Sequence, residues 1–162
     1  MRLIQPATEQ EVLDAFIAAE GHTRGYEGRV GLFLRYPWIV NWNWMSLLAD
    51  ELESVHLIRN EPSWIDIAGL DRRPGRAIEW VMSHPDDETS VTILEYNARL
   101  RQGDRPPPFI LVGPPSPSPA DLVVLEGNKR TVALCIGGVD VEGLSFLVGT
   151  SPAMREWHWY DD

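Results

Sequence analysis

The stretch LEGNKRTVAL (residues 125–134) holds Lys129 beside Arg130, just after Gly127 and Asn128. Lysine and arginine together number 14, and Lys129 is the only lysine among them. An apolar run precedes Glu126 and a run of small and apolar residues follows Arg130, so the pattern predicts a strand that turns at Gly127 into a helix. Such a junction suits an anion: the first helical N–H groups have no intrahelical acceptors, and the helix dipole places roughly half a positive charge there. Gly127 would let the backbone approach closely, while Asn128, Lys129, Arg130 and Thr131 add donors and two full charges. Positive charge at a helix start costs about 0.3–1 kcal/mol, which a bound phosphate offsets. The same letters also suit a plain Gly-Asn turn followed by a solvated first turn of helix, and both readings stay open.

Other elements must hold that junction in place. Thr8 with Glu11 makes a capping box, and Val12, Leu13, Phe16 and Ile17 recur at helical spacing, predicting a helix over 8–20. The glycine-rich GHTRGYEGRVG reads as a loop, and residues 32–34 as a short strand ended by Pro37. From Asn43, the residues Trp44, Met45, Leu48, Leu52 and Val55 fall mostly on one helical face and predict a second helix. SVHLIRN and IDIAGL read as strands. Pro74 opens a helix carrying Ala77, Ile78, Val81 and Met82, and Asp86 or Asp87 caps a longer one that stops at Gly103.

Pro106, Pro107 and Pro108 force an extended entry into the strand FILVG, and GPPSPSPAD is a loop. LVVLE then reads as a strand, KRTVALCI as a short helix ended by Gly137 and Gly138, and GLSFLVG as another strand. The tail REWHWYDD suits an edge strand. The expectation is one α+β domain over 1–162, with a mostly helical part over 1–96 and, over 97–150, a core built on a small mixed sheet with surrounding helices.

Length and composition agree with one core: a chain of 162 residues buries roughly 70% of its unfolded surface, and 44% hydrophobic with 23% charged residues is the balance of a globular domain. A formal net charge of −10 argues against duplex nucleic acid, whose interfaces depend on clustered cations, and leaves room for a small phosphorylated ligand in a locally basic pocket. Cys135 is the only cysteine, which excludes an internal disulfide and argues against a cysteine-based metal site. No window approaches the ~20 apolar residues of a membrane span, so no membrane partner and cytoplasmic residence are expected.

SHPDDET (residues 83–89) offers His84, Asp86, Asp87 and Glu88 as oxygen and nitrogen donors, but its spacing matches no ligand motif and an acidic helix cap explains all but the histidine. No metal ligand is therefore assigned. Trp38, Trp42 and Trp44 alternate in YPWIVNWNW and favour core packing or a protein partner over stacked bases. His22 and His56 have no partner in sequence and read as structural.

The segment 97–148, with LRQGDRPPP, FILVG, VVLEGNKR, TVALCIGG and LSFLVG in that order, resembles the ParB/sulfiredoxin superfamily. Its Gly-x-x-Arg motif at a strand-to-helix junction, preceded by an acidic residue, holds nucleotide phosphates. Gly127 and Arg130 match the fixed positions, Glu126 the acidic one, and Asn128 and Lys129 fill the variable pair. The resemblance implies a nucleoside di- or triphosphate as ligand, with Mg2+, and Glu126 as the carboxylate placed for metal or general-base work in phosphoryl or phosphodiester transfer. Sulfiredoxin needs a cysteine where this chain has Asn128, so sulfinic acid reduction is not expected. The string EGNKRT also resembles the Fic/Doc loop, yet the histidine that family uses as a base is replaced by Leu122. A non-catalytic protein-interaction module keeping the fold is the alternative from another class.

Overall fold

The computed structural model describes residues 1–20, 41–59, 64–157 and 160. His22, Trp38, the strand expected over 32–34 and most of the last residues of the tail lie outside them. Within them, one six-stranded mixed sheet is flanked by helices, as expected of a single α+β domain. In chain order the elements are β1 (Arg2–Ala7), α1 (Glu9–Glu20), β2 (Asn41–Ser46), α2 (Ala49–Glu53), β3 (His56–Leu57), α3 (Trp64–Ala68), α4 (Pro74–Ser83), α5 (Glu88–Arg101), β4 (Phe109–Gly113), β5 (Val123–Glu126), α6 (Asn128–Cys135) and β6 (Phe146–Thr150).

The strands lie side by side in the order β1-β2-β6-β4-β5-β3. β4 pairs parallel to β6 and antiparallel to β5, while β3 joins β5 in parallel. Every residue of β4 is buried. Alternate side chains of a strand point to opposite faces, so both faces of the sheet are covered at its centre. α1 packs against β4, and α6 packs against α5, α4 and β5. Asn97, inside α5, ties two of these helices together by donating from Nδ2 to the carbonyls of Ala133 at 2.7 Å and Gly137 at 3.2 Å, both near the carboxyl end of α6.

The helices begin where capping chemistry places them. Glu11 accepts from the Thr8 N–H at 2.7 Å while Thr8 Oγ1 accepts from the Glu11 N–H at 3.2 Å. Pro74 occupies the first turn of α4, and Asp87 caps α5 by accepting from the Thr89 N–H at 2.8 Å. The acidic SHPDDET segment is thus a helix start, with the ring of His84 stacked on that of Trp80 at 4.6 Å. Among the described residues no group of three or more His, Cys, Asp or Glu is arranged to hold a metal ion. No described helix is long and apolar enough to cross a membrane.

Three expectations are corrected. The helix read from Asn43 is strand β2 as far as Ser46, and only Ala49–Glu53 is helical. Trp42, Trp44 and the register with β6 decide this: Trp42 lies opposite Gly149, so close that a Cβ there would meet its ring at 2.5 Å, and sheet pairing overrides the helical spacing. IDIAGL is not a strand; Trp64–Ala68 forms one helical turn that buries Trp64, Ile67 and Ala68, and Gly69 ends it with a positive φ. The tail is not an edge strand at its start, since Met154–Glu156 is a 3₁₀ turn that buries Met154, with Trp157 and Tyr160 buried beyond it.

β1 was not visible in sequence. It is an outermost strand with Leu3 and Ile4 both exposed, so it lacks the alternation that marks a half-buried strand. Its Pro6 is compatible with an edge position. The part before residue 96 therefore contributes three of the sheet's six strands besides its helices.

Candidate functional site at the strand-to-helix junction

The register brings several chain segments to one end of the sheet. Phe109 lies opposite Phe146, and Ile110 opposite Glu126, so β4 and β6 begin where β5 ends. β3 runs parallel to β5 and also ends there. The strand before the motif and the short helix after it are both as read in the sequence.

Gly127 makes the turn. Its φ of 101° lies in the left-handed region, and a Cβ would stand 2.9 Å from Phe109 Cδ1 and 3.2 Å from Arg130 Nη2. Glycine is required here twice over, by backbone conformation and by space.

The neighbouring residues divide into those turned inward and those left toward solvent. Arg130 is buried, 5% exposed, with Nη1 donating to the Pro107 carbonyl and Nη2 to Glu126 Oε1 at 3.3 Å. Its Cζ lies 5.0 Å from the centroid of the Phe109 ring. Arg130 thus braces the proline segment against the end of β5. Asn128 Oδ1 accepts from the Ile58 N–H at 2.9 Å, fastening the start of α6 to the chain leaving β3.

Thr131 is fully buried, its N–H donates to the Gly127 carbonyl at 2.8 Å, and its hydroxyl has no partner among the described residues. Lys129 is half-buried and its ammonium makes no hydrogen bond or ion pair with the rest of the described chain. No side chain caps α6, and no acidic residue sits in its first turn. The Thr131 N–H is the first in the helix to find a carbonyl, which leaves those of Asn128, Lys129 and Arg130 without an acceptor among the described residues.

The six residues singled out in the sequence are contiguous and share one junction, with different duties. Gly127, Asn128 and Arg130 hold the junction in shape, and Glu126 takes part through its pair with Arg130. Lys129 and the first helical N–H groups are the polar groups of the junction left without a partner among the described residues. Sequence reasoning missed Ile58, Pro107 and Phe109, whose only signal lay in tertiary contact. Cys135 lies at the far end of α6, where burial pushes its thiol up to about 12, so it stays protonated and unreactive. Comparison with protein-family models, with curated proteins and with solved structures gives no match.

Proposed function

We propose that the chain binds the phosphate of a small ligand, in the first instance a nucleoside di- or triphosphate, at the start of α6. One observation carries this reading: an uncapped helix start, shaped by a left-handed glycine, presents N–H groups without an acceptor among the described residues, beside an ammonium that has no partner among them either. The resemblance of residues 97–148 to the ParB/sulfiredoxin superfamily points the same way. In this reading Lys129 and the N–H groups of residues 128–130 meet the phosphate. Arg130 and Asn128 fix the helix that aims them, and magnesium accompanies a di- or triphosphate as it does in solution.

Phosphoryl or phosphodiester transfer would use Glu126 as the nearest carboxylate. A second reading, a protein-interaction module without catalysis, is favoured by one feature: Glu126 is already engaged with Arg130 at 3.3 Å, so the best-placed carboxylate serves the fold.

Thermal-shift titration with ATP, CTP, GTP and their diphosphates, with and without magnesium, tests the binding. A ligand at 100 times its Kd stabilises by about 2.7 kcal/mol. Lys129→Ala is the informative variant, because Arg130→Ala would disturb the junction itself. Loss of the nucleotide shift in a normally folded Lys129→Ala protein supports the proposal. No shift with any nucleotide in the unaltered protein overturns it in favour of the interaction module.

A further inference from the structure

At the same end of the sheet, on the side where α5 ends, lies a half-open cavity of about 310 Å³. Its walls come from the carboxyl end of α5 with the turn after it and from the loop that joins α6 to β6. That size is at the lower end of small-molecule sites.

The charged groups around it are not matched to one another. Arg101 and Arg105 line one wall, and neither makes a hydrogen bond or ion pair with any described residue. Arg101 lies against Gly138, where a Cβ would meet its Nε at 3.0 Å and Cζ at 3.1 Å, so the glycine leaves space for the guanidinium. Arg105 reaches toward Gly143, where the corresponding distance to Nη1 is 3.9 Å. Asp104, the acid between them in sequence, is taken by Arg99 Nε at 2.8 Å.

On the loop after α6, Asp140 Oδ1 accepts from the Glu142 N–H at 2.8 Å, which fixes the turn and leaves the other oxygen and the Glu142 carboxylate without a partner among the described residues. Leu100 and Leu144 supply an apolar floor.

Two guanidinium groups on one cavity, without a partner among the described residues, suit an anionic group. Two acceptor-only carboxylates on the same lining would repel a second anion but accept hydrogen bonds from hydroxyl groups. An apolar floor between suits the C–H face of a small ring or chain. We propose that this cavity binds a small polyhydroxylated anion, its phosphate or carboxylate on Arg101 and Arg105 and its hydroxyl groups on Asp140 and Glu142. The inference is independent of the phosphate reading at α6.

The test is NMR or calorimetric titration of the full chain with glucose 6-phosphate, gluconate, glucose and inorganic phosphate, each to about 10 mM, roughly ten times the Kd of a weak, 1 mM site. Binding of glucose 6-phosphate, of gluconate or of both is expected, with glucose and inorganic phosphate at least tenfold weaker. Preference between the first two identifies the anionic group. Arg101→Ala with Arg105→Ala should remove the binding, and Asp140→Ala with Glu142→Ala should reduce the preference for the polyhydroxylated anions over inorganic phosphate about tenfold. Lys129→Ala should leave it unchanged, which separates this cavity from the α6 site.

The amides of Gly138 and Gly143 should shift with the ligand. No binding of either polyhydroxylated anion overturns the proposal, as does binding that survives the double arginine replacement or equal binding of inorganic phosphate.

Discussion

A methyl group at position 127 would meet Phe109 at 2.9 Å on a backbone with φ of 101°. Gly127→Ala is therefore expected to destabilise the protein by roughly 1–3 kcal/mol, measured by urea denaturation, because a left-handed strain and a steric clash add. Two positions on, Lys129→Ala should change stability by no more than about 0.5 kcal/mol, since the ammonium has no hydrogen bond or ion pair among the described residues to lose. That contrast separates the residues that build the junction from the one that does not. Thr131→Val replaces a buried hydroxyl that has no hydrogen-bond partner among the described residues by a methyl of similar shape, and stability in the ligand-free protein should hold or rise by up to about 1 kcal/mol. A loss above about 1 kcal/mol would mean that the hydroxyl is hydrogen-bonded after all. At this scale the sequence was legible for residue types but not for direction. The letters of GNKR announced a turn with two cations, whereas only the position of β4 decides that Arg130 faces inward to Pro107 and Phe109 while Lys129 does not.

Between elements, the contact of β2 with β6 turns on one pair, Trp42 over Gly149. Any side chain at 149 has to displace the indole, whose ring would stand 2.5 Å from its first carbon. Gly149→Ala should cost about 1–3 kcal/mol through overpacking, and a smaller residue at 42 should restore part of that loss. A double-mutant cycle between Gly149→Ala and Trp42→Leu checks it: additive losses would show that the two positions do not share the contact. The same pair shows why the helix expected from Asn43 is a strand. Helical spacing in WNWMSLLADEL is real, but aromatic residues in alternation also fit a pleated surface, and the decision is made by a partner strand a hundred residues away. Segments whose signals are local, such as the capping box at Thr8, Pro74 at the start of α4 and Asp87 at the start of α5, were legible because their chemistry closes within one turn. β1 was not, because an outermost strand exposed on both faces has no period to read.

Across the whole molecule, the carboxyl-terminal residues reach back to the sheet edge where β3 lies. Arg72, buried, donates to the carbonyls of Leu57 at 3.2 Å and Tyr160 at 2.9 Å, and His56 Nδ1 donates to the Asp71 carbonyl at 2.8 Å. Burial, followed by the nearby charge of Arg73, pushes the His56 imidazole below its ordinary value of 6.5. The folded state thus binds this proton less tightly than the unfolded chain does. Above pH 6.5 both states are neutral and the contribution of His56 is complete; as the pH falls through 6.5 the unfolded chain is protonated first and stability drains away. His56→Gln should flatten the dependence of Tm on pH between about 7.5 and 5, and an unchanged slope would assign the acid sensitivity to other groups.

The strand order carries one more consequence, for the timing of amide exchange with deuterated solvent. β4 sits between β5 and β6 with all its residues buried, whereas β1 has one neighbour and faces solvent along most of its length. The amides of β1 can exchange when a single ladder opens, but those of β4 wait until the sheet separates on both sides. Their exchange therefore reports global unfolding. The Arg130 brace to Pro107 sits two residues before β4. A ligand at the start of α6 that stabilises the fold should accordingly slow the β4 amides most, even though it touches none of them.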